Sequence, residues 1–305
     1  MNKTILITGE EAAFSTMQPL LHAYSRKKIA WQWQNHTGQL EILKDRTLLH
    51  GRFDAVLLLH KGRRSPSTLV DGPAVFREDG TAVPIGVVCY TREEQLQHFA
   101  RAAASVQLRK AYRKTLAILA QRHPRYFRVA NRVKEITHSA GIASFHWPSG
   151  EILPGDMIKG LDSGIGSAIY LGHGRPIGWV GYYGVRIHHF EKATEPIGAL
   201  LSICCHTANR KKTAWAFSEE VILHGVAASA FGAIKATLHT DNTRWAVRIT
   251  ESLLQGAESL GELIIKALPE NRGAANAYRI LGDPMAPLYS TKVGVQRASG
   301  IPTWN

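Results

Sequence analysis

The sequence predicts an α/β fold with a mostly parallel sheet, on three observations. Apolar runs of strand length recur along the chain (Lys3–Thr8, Ala55–His60, Pro84–Tyr90, Ser167–Gly172, Gly198–Cys205). They are largely continuous in apolar residues rather than alternating, the pattern of strands covered on both faces. The segments between them carry helical spacing or Gly and Pro punctuation, the order expected of strands alternating with helices.

Taken in order, Lys3–Thr8 reads as a buried strand stopping at Gly9. Glu10–Arg26 reads as a helix through Phe14, Met17, Leu20, Leu21 and Tyr24, with Pro19 as an internal conflict. Lys28–Leu43 alternates through Ile29, Trp31 and Trp33 and predicts one or two strands. Strands follow at Ala55–His60 and Pro84–Tyr90. Glu93–Gln121 then reads as one long amphipathic helix ending before Pro124. His146–Gly155 is loop-like, and a boundary is expected there, with an N-terminal α/β subdomain over 1–145 and a second domain over 146–305. In the second domain, Ser167–Gly172, Gly198–Cys205, Gly232–Thr237 and Tyr278–Leu281 read as strands. Ser218–Ser229 reads as a helix, and Asn242–Leu268 as one long helix or two.

Composition narrows the class. With 45% hydrophobic and 20% charged residues, the 305-residue chain has the make-up of an ordinary globular protein. It holds no run of about 18 apolar residues, so no membrane span is expected. The N-terminal MNKTILITGEE is too short in its apolar part for a signal peptide, and a cytoplasmic protein is expected. Three cysteines argue against a disulfide framework, and Cys89, inside an apolar run, reads as a small buried hydrophobe. Gly164-Ile-Gly166 and Gly9 fall short of a phosphate loop, and no C-x-x-C metal pattern occurs, so neither cofactor nor metal is expected.

The formal net charge of +13 predicts attraction to acidic partners. Ten Lys/Arg and no acid lie between Arg101 and Lys134. This stretch is either a solvated helix face or a surface for an acidic partner or activating ligand, such as a nucleotide.

Two apolar strands end abruptly in reactive groups: His173-Gly174 after Ser167–Gly172, and Cys204-Cys205-His206 after Ala199–Ile203. In a parallel sheet both ends lie on one edge, where reactive groups gather. There an imidazole can take the proton of a thiol and return it to a leaving amine. Gly174 lets the backbone approach a substrate closely, and its N–H is a candidate oxyanion donor.

The segments Tyr170-Leu-Gly-His173-Gly174-x4-Trp179, Cys204-Cys205-x-Thr-Ala, Phe217-Ser-Glu219 and Leu281-Gly-Asp283-Pro284 resemble, in order and spacing, those of gingipain-like cysteine peptidases of the caspase-fold clan. The resemblance spans about residues 165–288. It implies a caspase-like α/β/α sandwich in 146–305 and a cysteine endopeptidase acting on protein or peptide substrates, in a regulatory or defence setting. It implies His173 as general base and acid, and Cys205 as nucleophile, because lysine-specific gingipains carry a Cys-Cys pair of which the second reacts. Single-cysteine relatives of the CHAT type align Cys204 instead. The oxyanion hole would be the N–H groups of Gly174 and Cys205. Asp241, four residues before Trp245, is similar to the acid that reads Lys or Arg in lysine-specific gingipains; it could equally cap the helix that follows. Asp162 and Trp179 are further substrate-binding candidates. Glu219 is expected in a first helical turn and Asp283 in a turn. The acid that orients the gingipain histidine has no counterpart near Thr115–Leu119. Asn209–Lys212, expected to be exposed, is a candidate autocleavage loop. The alternative is a catalytically silent caspase-fold module recognising an acidic partner or nucleotide.

Overall fold

The computed structural model describes residues 3–35, 53–190 and 194–302. Its strands are β1 (Thr4–Gly9), β2 (Ala30–Asn35), β3 (Ala55–Lys61), β4 (Ala74–Phe76), β5 (Ala82–Tyr90), β6 (Arg113–Ala120), β7 (Ala143–Pro148), β8 (Ser167–Leu171), β9 (Gly174–Arg175), β10 (Gly178–Trp179), β11 (Ile197–Ile203), β12 (Ala227–Ala233), β13 (Tyr278–Gly282) and β14 (Tyr289–Ser290). All but β9 and β10 form one sheet, ordered β14-β6-β8-β11-β12-β13-β5-β3-β1-β2, with β7 beside β6 and β4 beside β5. The pairs β6–β8, β8–β11 and β11–β12 are parallel, and β13 runs antiparallel to β12. This is the mostly parallel α/β sheet that the apolar runs predict.

Both faces are covered. One core packs Leu20, Leu21, Leu96, Phe99 and Phe217 against the sheet, the other Val129, Val133, Trp245, Ile249 and Ile264. Strand β6 feeds both, Ala117 and Leu119 to the first and Leu116, Ile118 and Ala120 to the second.

The structure corrects the reading of Glu93–Gln121. The helix there stops at Leu108, and Arg113–Ala120 is β6. Residues 93–108 bury one stripe, whereas 115–120 are buried at every position, which only a strand between two layers requires. A second helix, Pro124–Ser139, follows with its proline at the first turn. The expected strand at Gly232–Thr237 begins earlier, at Ala227, and the helix before it ends at Leu223. Pro19 is accommodated because the first helical segment breaks at Met17 and a new helix, Gln18–Arg26, takes the proline in its first turn. Residues 36–43 of the Lys28–Leu43 reading lie outside the described residues.

The expected boundary at 145/146 falls inside β7. β6, from the first part of the chain, pairs with β8 from the second, and β5 pairs with β13. The sheet therefore runs through both parts, and 113–148 belongs with the strands that carry His173. One narrow join is β5–β13, paired through Ile280↔Gly86 and Leu281↔Val87.

Asp283 locks that join. Its carboxylate accepts from Tyr24 Oη (2.7 Å), Gln107 Nε2 (2.9 Å) and the Met285 N–H (2.7 Å). The turn residue expected from sequence is thus a buried hub between three segments. Burial pushes its carboxyl up to about 6, against the hydrogen bonds that favour the charge. A carboxyl that binds its proton more tightly when folded contributes most at low pH. That contribution is lost as pH rises from about 4 to about 6, a change on the order of 2–3 kcal/mol. Over that range the wild type is expected to lose stability relative to Asp283→Asn, and the two to run parallel above pH ~7. Urea midpoints of both proteins across pH check this.

Candidate active site

The strand pairing sets the site. Leu171, the last residue of β8, is in register with Ile203, the last of β11. His173 and Cys205 each lie two residues beyond that pair, on parallel neighbours about 4.8 Å apart. The two segments touch, since a Cβ at Gly174 would overlap Cys205 O and come within 2.5 Å of Cys204 Sγ. Only glycine allows so close an approach.

The backbone of His173 is held from three directions. Its N–H donates to Gln121 Oε1 (2.7 Å), and its carbonyl accepts from Tyr170 Oη (3.1 Å) and the Val180 N–H (2.9 Å). Its exposed ring meets Tyr126, whose hydroxyl is 3.3 Å from Nε2, with the rings edge to face at 5.5 Å. Tyr126 lies in the first turn of Pro124–Ser139; burial raises its phenol, and Cys205 and Cys204 are among its electrostatic neighbours. Sequence reading missed Tyr126 and Gln121. Both follow β6, which the long-helix reading erased.

The two cysteines differ. Cys204 is fully buried, and burial pushes its thiol well above the ordinary range. Cys205 is half-buried; the Thr237 N–H donates to its sulfur (3.4 Å) and Thr237 Oγ1 lies 3.5 Å away. His206 follows in the left-handed region (φ 63°), anchored by its N–H on Lys235 O (3.2 Å). A non-glycine residue there stores on the order of 1 kcal/mol, a feature that clusters at functional sites. Burial, and then Lys211, lower the His206 imidazole. Cys89 is buried, as expected.

The three substrate-binding candidates fall in three places. Asp241 is in the first turn of the helix His239–Leu254, half-buried, 3.8 Å from Arg244. It does not cap that helix, whose N-cap is Leu238. Asp241 follows Thr237, whose N–H meets the Cys205 sulfur, by four residues, so the carboxylate is on the site's edge. Trp179 is only 2% exposed, stacked on Tyr170 at 4.5 Å and donating to Ser202 Oγ (2.9 Å). It is a core residue beneath the histidine loop rather than a substrate contact. Asp162 precedes β8, whereas His173 follows it, so a strand length of about 16 Å separates them. Its carboxylate accepts from the N–H groups of Thr194 (2.5 Å) and Glu195 (3.0 Å), holding a loop at the opposite sheet edge.

Glu219 is in a first helical turn, as expected, and bonds Arg210 through both oxygens. The Arg210 side chain is therefore largely covered, at 10% exposure, which corrects the exposed reading of Asn209–Lys212; only Lys211 and Lys212 are exposed. Among the described residues no group of three or more His, Cys, Asp or Glu is arranged to hold a metal ion, and no helix is long and apolar enough to cross a membrane.

Residues 78–289 match the family model of Peptidase family C25. The chain belongs to that family. As a C25 member it is a cysteine endopeptidase, and its substrates are proteins or peptides. The family match spans β5 to β14 and so includes β6 and the helix bearing Tyr126. The fold agrees: the Arg-specific cysteine proteinase gingipain R superposes with a TM-score of 0.73 at 12% identity, over 94% of this chain and 78% of that one. The complex of Porphyromonas gingivalis RgpB pro- and mature domains gives 0.72 at 14%, over 96% and 81%. Saccharomyces cerevisiae separase, in its complex with securin, gives 0.51 at 16%, over 75% of this chain and 15% of that one. No curated protein matches the C25 chain in sequence.

Proposed function

We propose that this C25 peptidase works through a Cys205–His173 dyad positioned by Tyr126, and cleaves after Lys or Arg. The matched register of the β8 and β11 ends, with Gly174 pressed on the cysteine pair, carries this reading. Burial of Cys204 supports Cys205 as the nucleophile. With Nε2–H directed to the Tyr126 oxygen, Nδ1 is the base that takes the Cys205 proton. The thiolate adds to the scissile carbonyl carbon, and the oxyanion is held by the N–H groups of Gly174 and Cys205. The imidazolium then gives its proton to the leaving amine, and a thioester remains on Cys205. Water, deprotonated by His173, hydrolyses it and restores the thiol. Throughout, the Thr237 N–H solvates the sulfur when it is anionic. We place the peptidase in a reducing cytoplasm, a setting its three free cysteines fit.

Asp241 supports the cationic preference, as a half-buried carboxylate on this edge that a substrate Lys or Arg can reach. Thiol-reactive peptide ketones ending in Lys, Arg or Asp test the whole proposal. Labelling at Cys205 by the Lys or Arg probe, faster than by the Asp probe and reduced about tenfold or more in Asp241→Asn, is expected. Failure of all three probes to label Cys205 would sink the dyad.

Tyr126→Phe keeps the ring packing and removes only the hydroxyl. It is expected to lower kcat about tenfold with KM little changed. A wild-type kcat in the variant would remove Tyr126 from the mechanism.

A further inference from the structure

We infer that the rim of the site, built on Arg125 and Arg128, is a subsite for acidic residues flanking the scissile bond of the peptide substrate. This rests on the peptidase reading above and adds a substrate class to it.

The basic stretch between Arg101 and Lys134 is divided by β6. Arg109 and Lys110 precede the strand, while Arg122, His123, Arg125 and Arg128 follow it, on the edge that carries His173. Arg109 is occupied with main-chain carbonyls of Gly164 and Pro196. Arg125 and Arg128 are different. Both are exposed, one turn apart at the start of Pro124–Ser139, and neither has a carboxylate within 4.0 Å among the described residues. Farther along the same helix, Arg132 has Glu135 at 3.6 Å.

These arginines bracket Tyr126, whose hydroxyl contacts His173. His239 also meets the Tyr126 ring edge to face at 5.8 Å, and His123 packs at 5.8 Å as well. Burial and then Arg125, Arg128 and His123 lower the His239 imidazole, so these groups share one electrostatic neighbourhood. Its nearby carboxylate, Asp241, already faces Arg244. Two helix N-termini, those of Pro124–Ser139 and His239–Leu254, add positive potential at the same edge. Like charges one turn apart on a helix repel. An arrangement that gathers them beside a reactive site and leaves them without counterions is complementary to an anionic ligand, and guanidinium groups match carboxylates in both geometry and charge. A peptide fits better than a nucleic acid because the same edge carries the thiol that acts on an acyl carbon.

The full-length Cys205→Ala protein, which cannot turn over, permits a binding test by fluorescence anisotropy. The probes are a fluorescein-labelled Lys-containing peptide flanked by glutamates and its glutamine-flanked twin. The glutamate peptide is expected to bind about tenfold tighter at low salt, the gap closing as ionic strength rises. Adding Arg125→Glu and Arg128→Glu should abolish the gap. Lys292→Glu with Arg297→Glu, the same charge change on the far C-terminal helix, should leave it intact. Equal binding of the two peptides, or equal loss in both double variants, overturns the inference. So does tighter binding of a single-stranded oligonucleotide with the same Arg125 and Arg128 dependence. A second arm uses the active wild type on a proteome-derived peptide library, where Asp and Glu should be enriched around the cuts. Binding that follows the rim while Cys205 resists every peptide ketone would leave the acidic-peptide surface standing and remove the dyad reading alone.

Discussion

Cys205→Ala is expected to lower kcat/KM by a factor of about 10⁴ or more, because no other group on this edge can form the thioester. His173→Ala should cost nearly as much, and the double variant little more, since the two act on one proton and one bond. Cys204→Ala separates the alternatives. Its sulfur is fully buried beneath Gly174, so removing it opens a small cavity and costs about 1 kcal/mol of stability with activity within a fewfold of wild type. Steady-state kinetics on a Lys- or Arg-containing peptide, with urea midpoints for each variant, decide the matter. If Cys204→Ala is dead and Cys205→Ala active, the nucleophile moves by one residue and the histidine must reach below Gly174 to find it.

The placement of His173 and Cys205 on one edge was legible because both follow apolar runs that read as strands between two layers. Ser167–Leu171 and Ile197–Ile203 are buried at every position, and parallel neighbours deliver their ends to one edge. The side chain that touches the His173 ring was not legible. Tyr126 stands 47 residues away in sequence, inside a basic helix with no local mark of chemistry. It reaches the histidine only because β6 lies beside β8. Arg113–Ala120 suits a helix as well as a strand by sequence, since its only β-branched residues, Thr115 and Ile118, sit among alanines and leucines. Losing that strand hid Gln121 and Tyr126 together, and it left the histidine without a visible orienting group. Trp179 and Asp162 failed for a different reason. Proximity in sequence to a reactive residue does not say whether a side chain points into the core, as Trp179 does, or stands at the other end of a strand, as Asp162 does.

The second large effect expected is on stability. Arg210 donates from Nε to Glu219 Oε2 (2.7 Å) and from Nη2 to Oε1 (2.5 Å), while Nη1 reaches Arg63 O (2.6 Å). Its guanidinium also lies over the Trp215 ring at 4.2 Å. Glu219 is 3% exposed, and apart from Arg210 its carboxylate accepts the Ala216 N–H (3.0 Å). Removing the arginine would strand a buried anion, so Arg210→Ala is expected to cost about 3–5 kcal/mol in urea unfolding, far above the ~0–1 kcal/mol of an exposed pair. Glu219→Gln, which keeps the shape and part of the hydrogen bonding, should cost less. A double-mutant cycle should return a coupling on the order of 1–3 kcal/mol. The pair also bears on the site. The chain from Cys205 to Arg210 is clasped by Ala208 N–H on Ala233 O (2.9 Å), Ser218 N–H on Thr207 O (2.9 Å) and Asn209 Nδ2 on Ile234 O. Arg210 is the ionic end of that clasp, tying the loop that carries Cys205 to the helix Phe217–Leu223 and to the segment after β3. Loosening it should therefore lower kcat more than it raises KM, because the position of the sulfur is disturbed and the substrate rim is not. A loss below about 1 kcal/mol with unchanged kcat would show the clasp to be held by its main-chain bonds alone.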